Sequence, residues 1–267
     1  MRHLRPLVAA ASAVATVAVT ALLTAGPASA ATRNYVALGD SYSSGVGAGS
    51  YTSESGSCDR SPNAYSALWA KAHLPTSYVS VACSGATTSS VISTQVSALS
   101  SATNLVSVTA GGNDVGFSNI MQTCVLYGTT QCVAAVNNAE AKSQSILPGN
   151  LNNLYNSIRS HAPNAKVVVL DYPVFYDTSV WGCIGLSSTS RAKIDEGINM
   201  ADGIIKTAVA AHGFTFAEAR PAFVGHEICD GTSWLHSLNY LDIGESYHPT
   251  AAGQSGGYLP VFTSAAG

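Results

Sequence analysis

Two short segments near opposite ends of the chain hold residues that could make and use a nucleophile. The first, "YVALGDSYSSGVGAG", runs an apolar stretch directly into Gly39, Asp40 and Ser41. A serine that opens a helical turn at such a corner is exposed, and the amide donors of that turn face any anion forming beside it. A hydroxyl needs a general base before it can attack. The second segment, "ESYHPTAAG", offers one in His248, and Pro249 restrains the backbone that aims the imidazole. Donors for a developing oxyanion come from two further places. "TAGGNDVGF" carries Asn113, whose side-chain amide is a standard part of an oxyanion hole, and "ACSGATT" lets Gly85 present its N–H to the same point.

Each segment alone has an ordinary reading as a turn. "GDSYSSG" lacks the glycine spacing of either common phosphate loop. It also fails G-x-S-x-G, because Ser43 stands where the second glycine belongs. Asp40 adjoins the serine, but neighbouring side chains diverge, so a cap at the helix start is its expected role. Asp114 is read the same way. Of the other histidines after the leader, His73, His161 and His212 fall near predicted helix ends, where the dipole satisfies them. His226 and His236 lie in a long late segment and stay open as alternatives by position alone.

Elements to position these residues are legible as apolar runs between helical patterns. The runs are Tyr35–Leu38, Tyr78–Ala82, Leu105–Ala110, Lys166–Asp171 and Phe214–Glu218. Their nearly continuous apolar character predicts strands covered on both faces. One helix is predicted with Ser61 as N-cap and Pro62 at its first position. A second has Leu151, Leu154, Tyr155 and Ile158 on one stripe. A third has Ile194, Ile198, Ala201 and Ile205, with Gly213 as its stop. Alternating strands and helices predict an α/β domain on a parallel sheet. Two long loops, after the first strand and from Pro173 to Ser190, should emerge at the strands' carboxyl ends, where such sheets bind ligands.

Residues 1–30 read as a leader: Arg2 and Arg5, an Ala/Val/Leu/Thr stretch, then Ala28-Ser29-Ala30 as a cleavage signal. No transmembrane anchor is expected once it is removed. A single domain, 31–267, remains. Its Lys plus Arg count falls from 12 to 10 against 15 Asp plus Glu, a net charge near −5. No basic cluster survives, which argues against nucleic acid and against docking to anionic membranes. Six cysteines in an exported chain predict three disulfides. Fifteen pairings are possible. The sequential one, Cys58–Cys83, Cys124–Cys132 and Cys183–Cys229, is expected because each pair then closes a loop within one region. A metal site is not expected, for want of paired His/Cys spacing.

Taken in order, strand-GDS, strand-SGA, strand-GGND and a late His-Pro resemble the SGNH hydrolases, also called GDSL esterases and lipases. With the six cysteines, "CDRSPNAY" is similar to the secreted bacterial lipase and phospholipase A1 branch. The resemblance implies a three-layer, flavodoxin-like α/β/α sandwich on a five-stranded parallel sheet, and no metal or cofactor. It implies Ser41 as nucleophile, His248 as base, and an oxyanion hole from the N–H groups of Ser41 and Gly85 with the Asn113 amide. The expected substrate is a lipid ester at an interface, phospholipid or acylglycerol, met by a secreted monomer. The alternatives are a carbohydrate acetyl esterase of the same family and a catalytically silent exported binding protein. One departure matters: the family's Asp-x-x-His is Glu-x-x-His here. The expectation is that the Ser246 carbonyl orients His248, with Glu245 as the alternative acid.

Overall fold

This computed structural model describes Met1, His3 and residues 33–267, so the predicted leader and its cleavage site otherwise lie outside the described residues. Five parallel strands form the sheet: β1 (Asn34–Gly39), β2 (Ser77–Ser80), β3 (Leu105–Thr109), β4 (Lys166–Leu170) and β5 (Thr215–Ala217). Their order is 2-1-3-4-5, the doubly wound pattern that reverses direction between β1 and β3. All five expected runs are strands, with ends moved by two residues at most. β3, at the centre, is buried along its whole length, whereas the edge strand β2 is not.

Among the described residues eight α-helices surround the sheet: α1 (Ser41–Ser44), α2 (Tyr65–His73), α3 (Thr88–Ser90), α4 (Gly112–Val115), α5 (Phe117–His161), α6 (Ser188–Ala211), α7 (Arg220–Phe223) and α8 (Leu259–Ala266). Right-handed crossovers on either side of the reversal send α2 to one face and α5 and α6 to the other. The α2 and α8 face is packed with rings: Tyr35 lies 5.3 Å from Trp69 and 5.4 Å from Phe262. The opposite face is aliphatic, with Leu147, Leu151, Leu154 and Ile158 of α5 beside Ile205 and Val209 of α6.

Two helix expectations need correction. The helix expected from Ser61 begins at Tyr65. The Ser61 hydroxyl instead accepts from the Asn63 N–H (3.0 Å) and donates to the Gly49 carbonyl (2.5 Å), tying down the long loop after β1. The helix read around Leu151 is only the last part of the 45-residue α5. Its earlier turns are rich in Thr, Asn and Ser, poor helix formers, and Gly128 kinks it at φ 81°. The Cys124–Cys132 disulfide bridges that kink, while Cys58–Cys83 and Cys183–Cys229 fasten the two long loops.

The helices outrun the sheet. The strands span at most 6 residues, whereas α6, with 24 residues, is about 36 Å long. Asp202 of α6 accepts from the Tyr172 N–H just past β4 (3.2 Å), so everything in α6 before Asp202 stands beyond the sheet's carboxyl edge. Among the described residues no helix is long and apolar enough to cross a membrane.

Candidate active site

β1 ends at Gly39 with φ 123°, and a Cβ there would run into the Thr109 carbonyl of β3, so only glycine lets the chain turn. Gln95 clasps this residue twice: its Oε1 accepts from the Gly39 N–H (2.8 Å) and its Nε2 donates to the Gly39 carbonyl (2.9 Å). Asp40 is the N-cap of α1 and accepts from the Tyr42 N–H (3.0 Å). Its other oxygen accepts from the Tyr172 hydroxyl (2.5 Å), which in turn accepts from the Gly112 N–H (3.1 Å). Burial pushes the Asp40 carboxyl up to about 7, against the pull of those two donors.

Ser41 follows as the first residue of α1. Its hydroxyl lies 2.7 Å from Nε2 of His248, 207 positions away along the chain. On the other side of the ring, Nδ1 of His248 lies 3.1 Å from the Ser246 carbonyl. A proton on Nδ1 donates to that carbonyl and leaves Nε2 free to accept from Ser41. Burial holds the imidazole down at about 4, with an opposing pull from the Ser246 carbonyl and a further push from nearby His236. Tyr247, between the two residues, has φ 65°. Such strain persists only where surroundings over-determine it. Here the Tyr42 hydroxyl donates to the Tyr247 carbonyl (2.6 Å), and the ring stacks on Phe175.

Glu245 is not at the imidazole. Its carboxylate accepts from the Tyr51 hydroxyl (2.5 Å), and both nitrogens of the imidazole have other partners. The ring nitrogens of the other histidines, including nearby His236, are not on Ser41 either. Nδ1 of His73, His161 and His212 donates to the carbonyl four residues back in its own helix. His226 stacks on Trp234, and His236 donates from Nε2 to the Gly47 carbonyl (2.8 Å).

The donor residues gather at the same edge. Gly85 has φ 75° and open space where a Cβ would stand. The Asn113 amide donates one hydrogen to the Ala86 carbonyl (3.0 Å), which sets it beside the Gly85 turn and leaves its second hydrogen over. Among the described residues, the N–H groups of Ser41 and Gly85 have no acceptor. Asp114, the neighbour of Asn113, accepts from both the N–H and the hydroxyl of Thr88 (2.9 and 2.6 Å), pinning the two donor segments together.

An apolar cavity of about 720 Å³, counting its open mouth, leads away from Ser41 and Asn113. It runs between the overhanging parts of α5 and α6, past Phe117, Met121 and Val136 on one wall and Ile194 and Ile198 on the other. Gly197 allows the helices to approach, since a Cβ there would lie 2.9 Å from Val136. Glu140 also lines the cavity and pairs with Lys193 at 2.8 Å. Lys193 stands nine residues, about 13 Å, beyond Asp202 along α6, so this pair lies on the overhanging part of the helix. Among the described residues no cluster of three His, Cys, Asp or Glu could hold a metal.

The sequence reading did not find Gln95, Tyr172, Tyr42 or Tyr51. Gln95, Tyr172 and Tyr51 stand in no motif, and Tyr42, though next to Ser41, is marked by nothing in the spacing of that segment.

A profile of the GDSL-like lipase/acylhydrolase family matches residues 37–255. Lipase 1 of Streptomyces coelicolor is 54% identical over 263 residues, covering 98% of this chain and 97% of that protein. Phospholipase A1 from Streptomyces albidoflavus NA297 has a TM-score of 0.87 at 53% identity, over 88% of this chain and 100% of that one. The extracellular lipase of Streptomyces rimosus has a TM-score of 0.86 at 50% identity, with the same coverage of each chain.

Proposed function

This chain belongs to the GDSL-like lipase/acylhydrolase family, and from that premise we propose that it is a secreted esterase cleaving acyl esters of phospholipids or acylglycerols through a Ser41–His248 dyad. The observation that carries the reading is the line from Ser41 Oγ to His248 Nε2 (2.7 Å) and from Nδ1 to the Ser246 carbonyl (3.1 Å).

Nε2 takes the hydroxyl proton as Ser41 Oγ bonds to the ester carbonyl carbon. The Ser246 carbonyl holds the Nδ1 proton, keeps the productive tautomer and steadies the imidazolium. Negative charge on the former carbonyl oxygen falls to the N–H groups of Ser41 and Gly85 and to the Asn113 amide. When the tetrahedral species collapses, the alkoxide leaves with the proton from Nε2, and the acyl group stays on Ser41. Water, deprotonated by the same nitrogen, then releases the acid. The fatty acyl chain lies in the cavity between α5 and α6. An acetyl esterase acting on carbohydrate would have no use for that apolar space.

The test is phosphatidylcholine with different acyl chains at its two positions, given to the wild type and to Ser41→Ala, with a short p-nitrophenyl ester as a second substrate. Release of long-chain acid by wild type alone is the expected result. Cleavage of the short ester alone would move the substrate toward small or carbohydrate esters, and activity surviving in Ser41→Ala would overturn the dyad.

A further inference from the structure

Three segments at the carboxyl edge of the sheet, the edge that carries Ser41, hold most of the fully exposed apolar side chains; Leu74, at the far end of α2, stands apart from them. Trp181 (98% exposed) and Ile184 (97%) stand on the loop from β4 to α6. Tyr240 (83%) and Leu241 (100%) stand on the segment leading to His248, and Leu126 and Tyr127 lie at the α5 kink. Isolated exposed apolar residues are ordinary, but a rim of them along one edge is not.

These tips are linked to each other and to the site. Thr129, past the α5 kink, hydrogen-bonds Ser187 at the end of the Trp181 loop (2.8 Å). The ring of Phe175, at the root of that loop, stacks on Tyr247 beside His248. Two disulfides, Cys124–Cys132 and Cys183–Cys229, hold two of the three tips from below. Side chains so held are presented to solvent without being buried, and docking them costs little further ordering.

We infer that the three tips form a docking surface for a zwitterionic phospholipid interface, with Trp181 and Ile184 leading. The charges argue for that partner. Residues 122–131, 177–187 and 238–246 contain no Lys or Arg, and their only acids are Asp177, Asp242 and Glu245. Anionic lipid attracts basic segments, which this rim lacks. Tryptophan and tyrosine suit the headgroup level, where one end of the ring is apolar and the other wet. The inference rests on the lipid-ester reading but is separable from it, because docking needs no chemistry.

The experiment uses the mature chain carrying Ser41→Ala, so that vesicles stay intact. It is mixed with phosphatidylcholine vesicles, and binding is read by co-sedimentation and by the blue shift of tryptophan emission. Trp181→Phe subtracts the signals of Trp69 and Trp234. The expected results are a blue shift that Trp181→Phe abolishes and a loss of partitioning of about tenfold in Trp181→Ser/Ile184→Ser. The same double substitution in active protein should leave hydrolysis of a dissolved short ester unchanged, which shows that it folds, while slowing hydrolysis of vesicles. Partitioning untouched by the double substitution would overturn the proposal. So would tighter binding to phosphatidylglycerol vesicles, or an emission shift that follows protein concentration without vesicles, which would mark a second copy as the partner. Vesicle binding by Ser41→Ala alongside a wild type that releases no acid would sink the lipid-ester reading and leave the surface standing.

Discussion

The two halves of the proposed dyad are held in different ways. The nucleophile corner is gripped by side chains: Gln95 on Gly39, and Tyr172 on Asp40. The histidine turn has the Tyr42 hydroxyl on Tyr247 but adds a backbone grip on the histidine itself: the Ser246 carbonyl on Nδ1, the His236 N–H on the His248 carbonyl, and the Glu245 carbonyl on the His248 N–H. A side-chain clasp can be removed by one substitution, whereas a backbone clasp survives every substitution that keeps the turn. Sensitivity to mutation should therefore fall on the corner and on the imidazole itself, and pass over the acid that sits three residues before it.

The largest effect expected is that of His248→Ala, which removes the base and leaves only the oxyanion donors. A loss of about 10⁴-fold or more in kcat should follow, with circular dichroism unchanged. The next contrast lies in pH. Activity needs the neutral imidazole, which burial holds down at about 4. The acid limb of kcat/KM should accordingly fall through about pH 4, where an ordinary imidazole would fail near 6.5. At pH 5 that difference is worth about thirtyfold in the neutral fraction. A limb near 6.5 would show the ring to be solvated.

Gln95→Leu tests the side-chain clasp. It strands the buried Gly39 N–H and should cost about 1–3 kcal/mol of stability, read in urea unfolding, together with a drop in kcat as the corner loosens. The smallest effect expected is that of Glu245→Gln. The Tyr51 hydroxyl can still donate to an amide oxygen, so activity should change less than about threefold. A loss of about 10⁴-fold would instead make Glu245 the acid of a triad and end the backbone account.

The sequence was most informative where residue type and local turn coincide. Gly39, Ser41, Gly85, Asn113 and His248 each stand at a strand end or a special turn, and each can be read within a few residues of its motif. The five apolar runs stand out for a related reason: strands covered on both faces cannot alternate. What escaped reading depends on distant chain. Gln95 acts on a residue 56 positions away and Tyr172 on one 132 away; neither has a local signature. α5 escaped because only its last turns carry a clean apolar stripe. Its middle is stabilised by packing on α6 and by a disulfide, which outweigh weak local propensity. The choice between Glu245 and Ser246 turned on which partner the carboxylate finds, and Tyr51 lies 194 residues away.

The kink in α5 has a consequence for resistance to proteolysis. Leu126 and Tyr127 are exposed beside Gly128, where the helix is interrupted by a turn of the kind proteases cut first. Cys124 and Cys132 lie on either side of that turn, only 8 positions apart. A single nick between them opens a small ring and leaves the fragment bearing Ser41 covalently joined to the fragment bearing His248.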